Sequence, residues 1–202
     1  MALFLPTYFS PISQFSAILK SKEIQFEVYD NYQKQSYRNR CYIYNTNGKQ
    51  LLNIPVKHPV SSARKKTKDT QIENIGNWQK QHFNSLKIAY QNSPFFEFYM
   101  DDIAFIFDKK YKYLHDVNFD TFLFVSDALQ LNSDFKKTSS YTTVSKEKDY
   151  RNLVEAKKPA EKSSKQYIQM FDEKHGFIPD LSILDLLFME GPNTISFLWV
   201  SN

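Results

Sequence analysis

The chain of 202 residues is poor in the residues on which several common site types depend. Its single cysteine, Cys41, excludes an internal disulfide and fits a reducing compartment. Its four glycines, Gly48, Gly76, Gly176 and Gly191, are isolated from one another. A phosphate-binding loop or a dinucleotide fingerprint needs clustered glycines, because the backbone amides must approach the phosphates closely. Both are therefore excluded, and a bound phosphate would have to be held by side chains or by a helix N-terminus.

Long apolar runs and clustered metal ligands are also missing. No stretch approaches the roughly 20 apolar residues that a membrane helix needs, so no membrane span is predicted. The opening MALFLPTYFS has neither the basic flank nor the cleavage site of a signal peptide. The four histidines are scattered and form no chelating pair. We therefore expect a cytoplasmic protein that uses no metal and no cofactor.

The composition predicts a folded, mildly basic protein. Hydrophobic residues make up 42% of the chain and aromatic residues 16%, which is enough for a sizeable core. The length predicts a single domain over residues 1–202. The formal net charge of +4 favours an anionic small molecule, such as a sugar nucleotide, as the partner. Nucleic acid is not expected, because the predicted helices are not strongly basic, and the sequence predicts no oligomeric state.

The first 30 residues predict a β-α-β unit. ALFLP has the pattern of a short strand that ends at Pro6. A helix follows, with Ser10 as the N-cap and Pro11 at the first helical position. EIQFEVY then alternates apolar and polar residues, as a half-buried strand does. A strand, a helix and a strand in this order predict a parallel pair.

The sequence RCYIYNTNGKQLLNIPV predicts a β-hairpin. Asn47-Gly48 between two strand-like runs is typical of a two-residue type I′ turn. The resulting pairing of Ile43 with Leu52 and of Cys41 with Ile54 places these four apolar residues on one buried face. The opposite face carries Arg40, Tyr42, Tyr44 and Asn53.

From Trp78 onwards the apolar periodicity becomes helical. A first helix carries the stripe Trp78, His82, Leu86 and Ala89. A second helix begins at Pro94, and a third carries the stripe Leu114, Asn118, Phe122, Val125 and Leu129. A short helix after Pro179 is apolar all round and must be buried. The predicted class is α/β, in which several helices of the C-terminal part pack on a small mixed N-terminal sheet, made of the β-α-β opening and the hairpin.

Residues 133–165 differ in composition from the rest of the chain. Lysines accumulate there among Ser, Thr, Glu and Asp, and large apolar residues almost disappear. Such a segment cannot bury enough apolar surface to fold by itself. We expect a flexible surface loop with little regular structure.

The stretch QKQSYRNRC, residues 33–41, is the first candidate site. It brings the cations Lys34, Arg38 and Arg40 close to aromatic residues that include Tyr32 and Tyr42. Arginine forks bind phosphate or carboxylate in two-point contacts, and tyrosines stack on sugars or bases. The stretch therefore predicts an anion-binding site at the open end of the hairpin. The competing interpretation is a charge run that water solvates.

Three further polar residues lie on apolar stripes. His82 is either a partly buried histidine with a hydrogen-bond partner or a general base. Asn118 poses the same choice between a structural and a functional role. Asp185 has nearly all-apolar neighbours, so it either forms a cap with Ser182 or is a buried partner of a cation such as Arg38 or Arg40.

Five motifs in order resemble the WbqC-like protein family, in the version associated with Bacteroidetes-type bacteria. They are LPTYFSPISQF, NYQKQSYRNRC, NGKQLLNIPVKH, WQKQHFNSLKIAYQNSPFFEFYMDD and FIPDLSILDLLFMEGP, and they cover nearly the whole chain except the lysine-rich segment. The resemblance implies that the polar positions of the family correspond to Tyr8, Tyr32, Lys34, Asn39, Arg40, His82, Ser85, Tyr90 and Asp185. Many members carry His-Gln-Pro before the first tyrosine, whereas this chain has Phe4-Leu5-Pro6, so no role of that histidine transfers.

The resemblance implies a transferase of surface-polysaccharide (O-antigen) biosynthesis that adds a glycyl or similar acyl group to an amino sugar. In that hypothesis His82 is the catalytic base, and no metal takes part. The substrate would be bound by Tyr8, Tyr32, Lys34, Arg38, Asn39, Arg40, Tyr42 and Tyr90. The alternative is a binding module without catalysis, for an anionic glycan or a sugar nucleotide, in which His82 is only structural.

Overall fold

The computed structural model describes residues 1–57, 65–143, 148–156 and 165–200. Its main sheet has four parallel strands in the order β5-β2-β1-β6. The strands are β1 (Ala2–Phe4), β2 (Ile24–Phe26), β5 (Phe135–Lys137) and β6 (Lys148–Asp149). The predicted β-α-β opening is confirmed, because β1 and β2 pair in parallel around α1 (Ile12–Leu19). All three residues of β1 are buried, as expected for a parallel strand that is covered on both faces.

Helix α1 begins one residue later than predicted. Pro11 is the N-cap, with the extended backbone angles of φ −61° and ψ 154°, and it forms an antiparallel bridge with Ser182. The predicted cap, Ser10, uses its hydroxyl instead for a 2.7 Å hydrogen bond with Thr7. A tertiary contact thus displaced the local capping preference.

The second sheet is the hairpin of β3 (Arg40–Asn45) and β4 (Gly48–Asn53). Its existence is confirmed, but its predicted register is wrong by two residues, since Cys41 pairs with Leu52 and Asn45 with Gly48. The loop is therefore Thr46-Asn47. Its first residue is fixed from outside, because Lys174 Nζ and His175 Nε2 lie 2.9 and 3.0 Å from the Thr46 carbonyl.

A register shift of two residues leaves every side chain on its predicted face. The four apolar residues of the core face are indeed buried: Cys41, Ile43, Leu52 and Ile54. On the other face Tyr42 is half-buried, whereas Tyr44 is fully buried. The Tyr44 hydroxyl lies 2.6 Å from the Gly176 carbonyl and 3.1 Å from that of Phe171, so a segment distant in sequence covers this part of the hairpin.

The helices are α2 (Trp78–Tyr90), α3 (Phe96–Asp108), α4 (Leu114–Ala128), α5 (Asp172–His175), α6 (Ile183–Glu190) and α7 (Thr194–Val200). The predicted stripes of α2 and α4 are buried, and six consecutive residues of α6, Ile183 to Phe188, are buried as well. The chain therefore has the mixed α/β class that the sequence predicts. Among the described residues, no helix is both long and apolar enough to span a membrane.

The segment 133–165 needs a correction. It contributes the outer strands β5 and β6 and a 3₁₀ turn at Arg151–Val154. β5 pairs with β2 and β6 pairs with β1, so the main sheet is not built from the N-terminal part alone. These strands are only three and two residues long and exposed or half-buried, which is why their apolar signal is weak. Residues 144–147 and 157–164 of the expected loop lie outside the described residues.

Gly191 after α6 is a position where we expect substitution to be costly. Its φ of +52° strains any L side chain, and an added Cβ would lie 2.5 Å from the Phe95 ring. Gly191→Ala should lower the free energy of unfolding by about 2–3 kcal/mol. Gly76→Ala is the matched control, because Gly76 has φ +105° but open space around it, and it should cost about 1 kcal/mol. Equal losses in urea unfolding would mean that the Phe95 contact is irrelevant.

Candidate functional site

A cleft of about 890 Å³ opens at the carboxyl edge of the main sheet. Leu5 follows β1, Asp30 lies beyond β2, and Asp149 ends β6, and all three line the cleft. On one side β1 pairs with β2, the next strand in the chain, and on the other side it pairs with β6, the last strand. The strand order therefore reverses at β1, which makes this edge a topological switch point. Open α/β sheets bind ligands in the crevice outside the carboxyl ends of strands at such points. The fold therefore makes this cleft the candidate site.

The cleft lining is mixed in character. It contains the carboxylates Asp30, Asp149 and Glu155, the guanidinium groups of Arg38 and Arg151, the amides Asn31, Gln33 and Asn152, the rings of Tyr32 and Tyr141, and the apolar Leu5 and Val154. The lining thus carries three negative and two positive formal charges. This lining differs from the anion-binding site that the sequence predicts at the open end of the hairpin, because carboxylates accompany the arginines.

Arg38 is buried in an ion pair. Its guanidinium donates to Asp30 Oδ2 at 2.5 Å and to Ser36 Oγ at 3.1 Å, and its side chain is only 2% exposed. Two atoms of the pair, Arg38 Nε and Asp30 Oδ1, are buried without a hydrogen-bond partner among the described residues. The stretch 33–41 is therefore not a solvated charge run at this position. Arg38 belongs to the wall of the cleft.

The backbone around Arg38 is fixed by three connections. The backbone N–H of Tyr37 donates to the Val154 carbonyl at 2.9 Å, and the backbone N–H of Tyr8 donates to the Tyr37 carbonyl at 2.9 Å. Asn118 Nδ2 donates to the carbonyls of Pro6 (3.1 Å) and Arg38 (2.9 Å). The Asn118 side chain thus holds the end of β1 against the Arg38 backbone, which is a structural role, and this residue does not line the cleft.

Arg151 holds the opposite wall. Its guanidinium contacts Asp149, with a shortest distance of 2.6 Å, and it also donates to the carbonyls of Thr142 and Thr143. These contacts lower the pKa of Asp149, the side-chain hydrogen bond from Arg151 being the largest cause. The Arg151 donors are therefore committed to positioning the segment that precedes it.

The predicted substrate-binding residues do not all meet at this cleft. Tyr32 and Arg38 line it, whereas the sequence-predicted Lys34 is exposed and is not part of the lining. Asn39 is buried and donates to Asn53 Oδ1 and to the Ile54 carbonyl, so it closes the hairpin. Of Lys34, Arg38, Arg40 and His82, only Arg38 belongs to the lining of this cleft.

Arg40 and Tyr42 lie beside the cleft rather than in its lining. Arg40 is close enough to Tyr32 to lower its pKa, although burial raises that pKa more strongly. The Tyr42 ring has the Lys49 ammonium 4.2 Å from its centre and meets Tyr37 edge to face. An ammonium over the ring face is a favourable contact, but it occupies the surface that a stacked sugar would need.

Tyr8 and His82 form a buried pair on the other side of the hairpin. The Tyr8 hydroxyl lies 3.0 Å from His82 Nδ1, and the two residues are 0% and 5% exposed. Burial lowers the pKa of His82 to about 4, against a hydrogen bond to the Asn53 backbone that raises it. His82 is therefore neutral at pH 7, and both ring nitrogens have protein partners. A catalytic role for His82 stays a prediction that would require the Tyr8 bond to open.

Asp185 forms a third polar cluster with Tyr90. Its carboxylate accepts from the hydroxyls of Tyr90 (2.5 Å) and Tyr167 (2.6 Å) and from Gln169 Nε2 (3.2 Å). Burial raises the pKa of Asp185 to about 6, and the hydrogen bonds from these three residues lower it. The N-cap of α6 is Ser182 alone, which accepts from the Leu184 N–H. Neither predicted role of Asp185, in a cap or beside an arginine, is the one it has.

Several cleft residues escaped the sequence-based prediction, foremost Asp30, Asp149 and Arg151. Asp30 could have been found, because the end of the second strand of a β-α-β unit lies at the carboxyl edge of a parallel sheet. The Asp-x-Arg pattern at 149–151 lies in the lysine-rich segment, where one ion pair among many charges gives no signal. Among the described residues, no three His, Cys, Asp or Glu side chains cluster as metal ligands.

The chain matches a known protein family over most of its length. The model of the WbqC-like protein family matches residues 6–164, which include most of the cleft lining. No curated protein and no solved structure matches the chain significantly.

Proposed function

Because this chain belongs to the WbqC-like protein family, we propose that it is a transferase of surface-polysaccharide (O-antigen) biosynthesis that transfers a glycyl or similar acyl group to an amino sugar. The acceptor is held in the cleft at the carboxyl edge of the main sheet. A sugar nucleotide is the form of acceptor that we expect, and the cytoplasm is the compartment that supplies it.

The observation that carries this proposal is the chemistry of the cleft. Its volume of about 890 Å³ lies within the range of small-molecule sites. Its amides and carboxylates offer planar sets of donors and acceptors for the hydroxyls of a sugar ring, and Tyr32 and Tyr141 offer aromatic faces. This mixture suits a polar ring better than a nucleic acid, which calls for a basic surface.

The second candidate is a binding module for an anionic glycan or a sugar nucleotide. One observation favours it: His82, the general base that the sequence predicts, is outside the cleft lining and has both nitrogens engaged. Binding without turnover is the result that would identify this function.

The direct test is turnover. The purified protein is incubated with UDP-glucosamine as the acceptor and a glycyl thioester as the donor, and the glycylated sugar is detected by mass spectrometry. Two exposed neighbours, Gln33 in the lining and Lys34 outside it, provide a matched pair of variants. Gln33→Ala should weaken UDP-glucosamine binding by about threefold to tenfold through one lost hydrogen bond. Lys34→Ala should change binding by less than about twofold, since its charge is solvated. The reverse order would place the ligand elsewhere.

A further inference from the structure

Each of the two arginines of the cleft is paired with a carboxylate. Arg151 spends its donors on Asp149 and on two backbone carbonyls, and Arg38 spends two of its donors on Asp30 and Ser36. A phosphate would therefore have to compete with Asp30 or Asp149 for these guanidinium groups. The cleft thus holds both cations in ion pairs, which weakens their attraction for an anion.

Two polar atoms of the lining, Arg38 Nε and Asp30 Oδ1, lack a hydrogen-bond partner among the described residues, and a ligand that donates a hydrogen bond could supply the partner of Asp30 Oδ1. Asp30 is 7% exposed and borders the cleft, and its Oδ1 has no hydrogen-bond partner among the described residues. Buried carboxylate oxygens are normally paired, so such an atom calls for a donor from outside the protein. Its other oxygen is held at 2.5 Å by Arg38, which fixes the plane of the carboxylate. One carboxylate oxygen is thus held by Arg38, and the other is buried without a protein partner among the described residues.

Building on the proposed transferase function, we propose that Asp30 is a catalytic residue, which binds the free amine of the acceptor sugar and takes its proton, and that Arg38 is its positioning residue. The ligand class of the cleft is then an amino sugar with an unsubstituted amine. The diphosphate of a sugar nucleotide points away from the two ion pairs.

The step balances with an activated acyl ester, such as a thioester, as the second substrate. The amine nitrogen attacks the acyl carbon, and an N–C bond forms. A proton passes from that nitrogen to Asp30 Oδ1, the bond from carbon to the leaving group breaks, and Asp30 returns the proton to the leaving group. No oxidant or reductant is needed. The guanidinium of Arg38 keeps the carboxylate in place throughout.

The other carboxylates of the cleft are less suited to this role. Both oxygens of Asp149 accept from Arg151, at distances between 2.6 and 3.1 Å. Glu155 is exposed, where water competes for its oxygens. Asp30 alone of the three combines burial, a fixed orientation and an oxygen without a protein partner among the described residues.

The test compares two sugar nucleotides that differ only at the sugar nitrogen. Binding of UDP-glucosamine and of UDP-N-acetylglucosamine is measured by calorimetry without any acyl donor. The parent protein should bind the free amine at least about tenfold more tightly, since a charge-assisted hydrogen bond is worth more than a neutral one. Asp30→Asn should abolish this preference. Glu173→Gln, which removes an exposed carboxylate on α5, is the matched control and should keep it.

Equal binding of both sugars by the parent, binding of neither, or a preference that survives in Asp30→Asn would each overturn the proposal. Should Asp30→Asn fail to fold, Asp30→Glu replaces it. The longer carboxylate can keep the Arg38 pair but fills the space of the amine, so affinity for UDP-glucosamine alone should fall at least about fivefold. Unchanged affinity in that variant would also contradict the proposal.

Turnover distinguishes a failure of the proposed transferase function from a failure of the proposed role of Asp30. A preference for the amine without any product would support Asp30 as the amine-binding group and contradict the transferase. Product formation that Asp30→Asn retains would support the transferase and contradict Asp30. Arg38→Lys keeps the charge but loses the fixed fork, so kcat should fall at least about tenfold while KM changes by less than about threefold. An equal change of KM and kcat would assign Arg38 a merely structural role.

Discussion

Arg38→Met should lower the free energy of unfolding by about 3–5 kcal/mol, because it leaves the Asp30 carboxylate buried without its cation. Arg38 is 2% exposed and Asp30 is 7% exposed, so water cannot replace the lost partner without opening the cleft wall. The measurement is urea unfolding at pH 7. Lys34→Met is the matched control from the same stretch, and its exposed side chain should cost less than about 0.5 kcal/mol.

The double variant Arg38→Met/Asp30→Leu distinguishes a charge effect from a packing effect. Replacing a whole buried ion pair by apolar residues of similar volume is often close to neutral, so the double variant should recover most of the lost stability. A double variant that is as unstable as Arg38→Met would show that shape rather than charge holds this wall.

Asp185→Asn should make the stability of the protein rise steeply with pH. In the parent, the titrations of two buried groups, Asp185 and His82, change the stability with pH in opposite directions. Asp185 has a pKa raised from 3.8 to about 6, so its contribution is present below pH 3.8 and is lost as the pH rises through 6. His82 has a pKa lowered from 6.5 to about 4, so its contribution is present above pH 6.5 and is lost as the pH falls towards 4.

The two contributions largely cancel between pH 4 and 6. Without the Asp185 titration, the His82 contribution of on the order of 3 kcal/mol should appear as a gain in unfolding free energy from pH 4 to 6.5. Thermal unfolding across this range measures it. Adding His82→Leu to Asp185→Asn should remove the slope again, whereas adding His175→Asn should leave it. A pH-independent Asp185→Asn variant would mean that His82 titrates alike in the folded and unfolded chain.

The sequence-based predictions succeeded where the structure depends on residues close together in the chain, and they failed where it depends on distant pairing. Apolar alternation in β3 and β4 identified the buried face through Cys41 and Ile43, because the side-chain period of a strand is local. The register failed by two residues, since the loop is Thr46-Asn47 and Gly48 follows it with φ +94° as the first residue of β4. The strands β5 and β6 were missed because tertiary pairing, not propensity, makes such short segments extended.

The site was predictable only in part for the same reason. The sequence indicates that Arg38 and Tyr32 belong to a polar site, and both line the cleft. It does not indicate that Asp30 neutralises Arg38, because the two residues lie eight positions apart along an irregular loop. The sequence shows only the composition of the charge run. In the fold, the charge of Arg38 is neutralised by Asp30, which lies beyond β2.

The strand order β5-β2-β1-β6 also imposes an order of events on folding. When the ribosome has released β1 and β2, both outer edges of this pair are open, because their partners β5 and β6 lie more than 100 residues further along, as the pairings of Ala2 with Lys148 and of Ile24 with Phe135 show. Closing such large loops costs entropy before any contact repays it, so the contact order of this sheet is high and its completion is slow. During synthesis the nascent β-α-β unit exposes unpaired backbone, which is a hazard for aggregation. Helix α4 is made in this interval, and its Phe119 and Phe122 rings pack against Phe26 of β2.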